Sequence, residues 1–284
     1  MFNFRVLVLV FSAFILGSPF NPEPKICCTI PATDLFANLA NDEEFVALHE
    51  NPKPFSYQTQ TGKMITFAVS EGKDGNAFYI AAKKPSNKVL FVFHEWWGLN
   101  DYIKQESEKY YNEFNGKYNV IAIDLYDGLV ATTREEAGKY IQGVTTERAN
   151  AIIAGAIKFS TTDKTPEIAT IGWCFGGGWS LQAALIAKMQ AKACVIYYGM
   201  PEKDVEKLKN LEAKVLGIFA GQEKRISPEV VKEFESNMEK ANKKVTIKSF
   251  DADHAFANPS NPKYNKEFGD EAFKMSVKFI KKNL

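Results

Sequence analysis

Gly172-Trp173-Cys174-Phe175-Gly176, at the end of the apolar run 168–171, sets a thiol at the centre of a G-x-nucleophile-x-G pattern. A strand that turns within one residue into a helix holds its central residue in a strained conformation with the side chain projecting. A projecting thiolate attacks carbonyl carbon, but a free thiol near pKa ~8.5 is only a few per cent ionised at neutral pH and needs a base. The histidines are His49, His94 and His254. On a strand-elbow-helix architecture the base follows the nucleophile and the acid in chain order, which selects His254. The acid that fixes the imidazole tautomer belongs at a strand end between Cys174 and His254. Glu223 fits, running straight off the apolar run 215–219, and Asp204 is the alternative.

A further carboxylate stands in His94-Glu95-Trp96-Trp97-Gly98 at the end of the run 89–93. Flanked by indoles, Glu95 should lose solvation and hold its proton to higher pH, which suits proton exchange with a thiol. The backbone N–H groups of Trp96 and of Phe175, the residue after the nucleophile, are the expected oxyanion hole. Two donors converging on one oxyanion imply acyl transfer.

The elements that must position these groups alternate along the chain. Residues 65–69 and 77–81 read as an antiparallel pair joined by a Gly-rich turn, followed by strands at 89–93, 120–125, 168–173, 193–198, 215–219 and 245–250. Helical patterns fall at 101–114, 134–143, 147–159, 179–190, 227–241 and 266–282, the fifth opening on a Ser cap followed by Pro. Such alternation predicts an α/β fold with a mostly parallel twisted sheet and helices on both faces. Sites in such folds lie at the carboxyl ends of the strands.

The composition, 45% hydrophobic and 24% charged, is that of a chain with a packed core and not of a disordered one. Lys+Arg 35 against Asp+Glu 34 leaves no field to draw in nucleic acid. A basic start, an apolar run at 6–16 and small residues predict a signal peptide over 1–18, with an uncleaved N-terminal membrane anchor as the alternative. The mature protein is then expected to be exported, periplasmic or secreted, without stable membrane insertion. Residues 19–55 are Pro-rich and read as a loosely ordered lead-in with room for one short helix and nothing catalytic, and 56–284 as one catalytic domain. Cys27-Cys28 falls in the lead-in, and Cys194 opens an apolar run. Neither the cysteines nor the histidines have the spacing of a zinc site, and no motif calls for a cofactor.

Taken together, the stretches 94–100, 124–126, 130–132, 135–137, 172–177 and 254–256 resemble the dienelactone hydrolase family of α/β-hydrolases, over about Gly62 to the C-terminus. The resemblance implies the α/β-hydrolase fold and a Cys-His-Asp triad that cleaves a small-molecule ester or lactone. It also implies a Glu at position 95 that holds the resting thiol and takes its proton. Two departures stand out. The acid here is Glu223 and not Asp, and no Arg follows His254 in Ala255-Phe256-Ala257-Asn258-Pro259, where members specific for dienelactone place one to bind a substrate carboxylate. The expected function is ester or lactone hydrolysis through Cys174, His254, Glu223 and Glu95 with an acyl-thioester intermediate. The alternatives are a secreted non-catalytic binding protein on the same scaffold and, with less support, a thiol-redox protein.

Overall fold

The computed structural model describes Met1 and residues 30–284. The expected signal peptide, most of the Pro-rich stretch and Cys27-Cys28 lie outside the described residues. Eight strands form one sheet: β1 (Lys63–Phe67), β2 (Gly75–Ile80), β3 (Lys88–Phe93), β4 (Asn119–Asp124), β5 (Glu167–Trp173), β6 (Ala191–Tyr197), β7 (Lys214–Ala220) and β8 (Val245–Phe250). Their order is β1-β2-β4-β3-β5-β6-β7-β8, with β1 and β2 antiparallel and every pairing from β4 to β8 parallel. Strands β3 to β7 are almost wholly buried, as their unbroken apolar runs require of strands covered on both faces.

The helices are α1 (Ala32–Asn38), α2 (Glu43–Ala47), α3 (Asp101–Glu113), α4 (Arg134–Gly143), α5 (Thr146–Ser160), α6 (Phe175–Ala187), α7 (Val205–Leu208), α8 (Pro228–Lys240) and α9 (Lys266–Asn283). Side chains alternate across a strand, so Thr170 and Trp173 report on opposite faces of β5. The Thr170 hydroxyl donates to the Ser180 carbonyl of α6 at 2.9 Å, whereas Trp173 packs on Tyr110 of α3, which meets Phe273 of α9 at 4.8 Å. Helices therefore cover both faces, as the alternation implied.

Two elements differ from the sequence expectation, each for a local reason. The helix after the elbow begins at Phe175 and not at 179, because Gly176, Gly177 and Gly178 are its first turn. Their poor helix propensity is overridden by contact: a Cβ on Gly172 would strike the Gly176 backbone, and one on Gly176 would strike the Phe93 and His94 carbonyls at the end of β3. The described part of the lead-in, 30–55, is also not loose. Phe36 of α1 and Phe45 of α2 are fully buried against the domain, and the Asp42 side chain accepts from the Phe45 N–H to cap α2.

The close approach of β5, α6 and β3 makes Gly172 the position least able to accept a methyl group. Gly172→Ala is expected to lower unfolding free energy by at least about 2 kcal/mol, the scale of core overpacking, in urea denaturation. A variant as stable as the parent would mean that this junction is looser than described.

Candidate active site

Cys174 occupies the single residue between β5 and α6 with φ 57° and ψ −120°. A non-glycine residue in this region costs on the order of 1–3 kcal/mol and persists only where its surroundings enforce it. The enforcing contacts are the Cys174 N–H to the Tyr197 carbonyl and the Gly177 N–H to the Cys174 carbonyl, both 3.0 Å. Tyr198 (φ 33°) and Ala255 (φ 60°) are strained as well, so three of the chain's non-glycine residues with positive φ gather at this site. The Phe175 N–H, at the first position of α6, has no partner within the helix and is available as a donor.

His254 follows β8 in the loop that returns over the elbow, and its Nδ1 lies 2.6 Å from Glu223 Oε2, both side chains buried. The carboxylate fixes Nδ1 as the protonated nitrogen and leaves Nε2 facing the site, where it has no hydrogen-bond partner among the described residues. Burial alone would push the imidazole down, but the Glu223 carboxylate and the Cys174 sulfur outweigh it and hold the ring well above its ordinary value. Asp204 plays no part here: its carboxylate accepts from the Glu206 and Lys207 N–H groups and caps α7. Of the two candidate acids, the structure therefore brings Glu223 to the imidazole. Glu223 lies in the loop just after β7, and its contact with the imidazole is short.

Glu95 is buried beyond the end of β3, where Tyr198 Oη donates to its Oε1 at 3.5 Å and Asn258 Nδ2 donates to its Oε2. Burial pushes its carboxyl up to about 7, against the pull of His254 and the Tyr198 hydrogen bond. The indole-rich loop 94–98 had suggested this desolvation, and Trp96 is fully buried beside it. His94 ties the loop in place: Nδ1 donates to the Glu95 carbonyl at 2.5 Å and Nε2 accepts from the Leu125 N–H at 3.1 Å.

Sequence reasoning missed two residues. Asn258, passed over because it is not an Arg, orients Glu95. His49, from the stretch in which nothing catalytic was expected, is the hydrogen-bond partner of the thiol: Cys174 Sγ lies 3.6 Å from its Nε2. Its ring packs on Trp96 at 4.3 Å and on His254 at 4.9 Å, and its own Nδ1 donates to the Phe45 carbonyl at 2.9 Å. The sulfur's resting contact is thus with His49, while Glu95 is engaged by Tyr198 and Asn258. Burial and the neighbouring His254 push the His49 ring well below its ordinary value, so it sits neutral. Burial also pushes the Cys174 thiol up, opposed by His254 and reinforced by Glu95.

Cys174 and His254 are each about 1% exposed because residues 32–49 lie over them. Phe45 meets the His254 ring at 5.4 Å and Phe36 meets Phe175 at 6.2 Å. Polar ties at the rim include Arg225 to Asp42 at 2.7 Å, Arg134 Nε to the His49 carbonyl at 2.7 Å and Thr146 Oγ1 to Asp34 at 2.9 Å. Each buried phenyl contributes roughly 1.5–3 kcal/mol and each exposed ion pair 0–1, so the apolar anchors hold this cap. A narrow cleft opens beside it, reaching the site at Glu95, Trp173 and Asn258.

The strand order, the strained elbow and an imidazole-carboxylate pair brought in from the following strand ends define an α/β-hydrolase. The chain belongs to the dienelactone hydrolase family: the model of the "Dienelactone hydrolase family" matches residues 76–284. A "Putative carboxymethylenebutenolidase" of Saccharolobus solfataricus is 25% identical over 259 residues, covering 76% of this chain and 97% of that protein. One of the same description from Aquifex aeolicus is 25% identical over 231 residues, covering 78% and 98%. The crystal structure titled "Putative Dienelactone Hydrolase" from Klebsiella pneumoniae shares the fold with a TM-score of 0.66 at 19% identity, covering 78% of this chain and 99% of that one. Among the described residues no helix is long and apolar enough to cross a membrane.

Two outcomes follow from this geometry. Phe45→Ala removes the main anchor of the cap and should raise the rate of Cys174 alkylation by iodoacetamide more than tenfold, whereas Arg225→Ala should change it by less than about fivefold. Equal, small effects would show that the cap does not control access. Glu95, with its folded pKa above the ordinary 4.5, contributes no penalty below pH 4.5, where it is protonated folded or unfolded, and its full penalty above about 7. At 1.36 kcal/mol per unit, Glu95→Gln should therefore be more stable than the parent by up to about 3 kcal/mol above pH 7, the gap closing below pH 4.5. A pH-independent gap would contradict the burial argument.

Proposed function

We propose that this chain, by its family a hydrolase of carboxylic esters or lactones, uses Cys174 as its nucleophile, acting with His254 and Glu223 through an acyl-thioester. The single observation that carries this reading is the elbow itself: a thiol held at φ 57° beside an imidazole whose far nitrogen is 2.6 Å from a carboxylate. In the proposed sequence a base takes the proton of Cys174 and the sulfur attacks the ester carbonyl. The Phe175 and Trp96 N–H groups receive the developing oxyanion, and His254 protonates the leaving alkoxide. The same imidazole then activates water to release the acid. Glu95, with its carboxyl near neutrality, is suited to take the thiol proton once the cap lifts His49 from the sulfur.

The cleft bears on the substrate. Its walls include Glu95, Glu106 and Tyr102 but no Lys or Arg, and no Arg follows His254. A substrate anion would therefore meet carboxylates without a counter-charge, which favours an uncharged ester or lactone over dienelactone. An exported location, from the leader-like N-terminus, belongs to the same proposal.

Cys174→Ala is expected to lower kcat/KM for a neutral aryl ester by at least about 10³-fold, as loss of a nucleophile does. The parent should prefer that ester at least tenfold over an analogue carrying a carboxylate at the acyl end. Undiminished turnover by the alanine variant would remove Cys174 from the mechanism, and a preference for the anionic analogue would overturn the substrate assignment alone.

A further inference from the structure

Three side chains converge where the cap meets the elbow. One ligand atom each from His49, Cys174 and His254 lies within 4.8 Å of the other two, and all three residues are buried. Their bonding states are fixed from behind. A carbonyl can only accept, so the Phe45 carbonyl holds His49 in the Nδ1–H tautomer and leaves the Nε2 lone pair on the sulfur side. Glu223 does the same for His254, whose buried Nε2 has no other partner. An imidazole that donates its remote N–H to a carbonyl or carboxylate while its other nitrogen points into a shared centre is the arrangement that orients metal ligands.

We infer that His49 Nε2, Cys174 Sγ and His254 Nε2 form a binding site for a borderline-soft transition-metal cation, Zn²⁺ foremost, that clamps the N-terminal cap onto the nucleophile. The spacing suits it: with Zn–S about 2.3 Å and Zn–N about 2.0–2.1 Å, a tetrahedral ion sets sulfur and nitrogen about 3.5 Å apart. The sulfur and His49 Nε2 are already 3.6 Å apart. One thiolate and two neutral imidazoles, with no oxygen among them, select Zn²⁺ over Mg²⁺ or Ca²⁺. On binding, the S–H bond breaks and the zinc–sulfur bond forms; the thiol proton leaves to solvent together with the Nε2 proton that His254, held above its ordinary value by Glu223, carries near neutrality, so affinity rises with pH. No electron moves. The sequence could not reveal this, because the three ligands lie on separate elements and only the fold brings His49 across 125 residues to Cys174. The ion would occupy the sulfur and the free nitrogen that the proposed acyl transfer needs, so metal-loaded and hydrolytic states exclude each other.

The inference can be tested without turnover. Reduced, desalted full-length protein titrated with CoCl₂ should develop a thiolate-to-cobalt charge-transfer band. The band should be absent in Cys174→Ser and should need at least tenfold more cobalt in His49→Gln. ZnCl₂ should abolish it by displacement, slow Cys174 alkylation at least tenfold and raise the melting temperature of the parent more than that of His49→Gln. The inference fails if no band forms, if the band survives in Cys174→Ser, which would place the ion at Cys27 and Cys28, or if His49→Gln binds cobalt as tightly as the parent. None of these results depends on whether Cys174 performs ester hydrolysis.

Discussion

The structure around residue 174 depends on a backbone conformation that the residue would not adopt by itself. Holding Cys174 at φ 57° costs on the order of 1–3 kcal/mol, and only the packing of β5, β3 and α6 supplies it. Glycine at 172 and 176 lets those three backbones meet, and the Tyr197 carbonyl pins the Cys174 N–H. The strain turns the Cys174 side chain out of the chain's path and leaves the adjacent Phe175 N–H as the first of α6. The nucleophile and the oxyanion donor proposed above would thus be two consequences of one turn.

Around that turn the charges are few and the solvent is excluded, so each proton position is set by a near neighbour. The two imidazoles 4.9 Å apart are driven in opposite directions, His254 upward by Glu223 and His49 downward by burial beside it. One cation is affordable in this pocket and two are not. Glu95, pushed up to about 7, is the group of this site poised to exchange a proton near neutrality. The cap keeps this arrangement dry, and its two phenyl anchors outweigh its surface ion pairs.

Much of the site was legible in the chain. The G-x-C-x-G pattern behind an apolar run specified the elbow, chain order selected His254, and the run into 223 favoured Glu223 over Asp204, because these are local patterns at strand ends. Coordinates were needed to separate the two acids: Asp204 caps α7, whereas Glu223 meets the imidazole. His49 was illegible for a different reason. Its segment is Pro-rich with weak periodicity, and its structure comes from Phe36 and Phe45 docking on a surface that exists only after the domain has folded. Asn258 was hidden similarly: an amide three residues beyond a strained Ala255 acquires meaning only when Glu95 arrives from 163 residues earlier.

The family fixes the class of chemistry, and the residues around the cleft shape which molecules reach it. The uncharged acyl donor proposed above would meet walls that carry carboxylates and no cation. The central claim concerns the covalent partner of that acyl group, and rapid acid quench of the protein during turnover of an aryl acetate, followed by peptide mass spectrometry, tests it most directly. The account expects one acetyl group on the peptide carrying Cys174, labile to hydroxylamine as a thioester is. Steady turnover with no acyl group on that peptide, or with the acyl group on another residue, would contradict it.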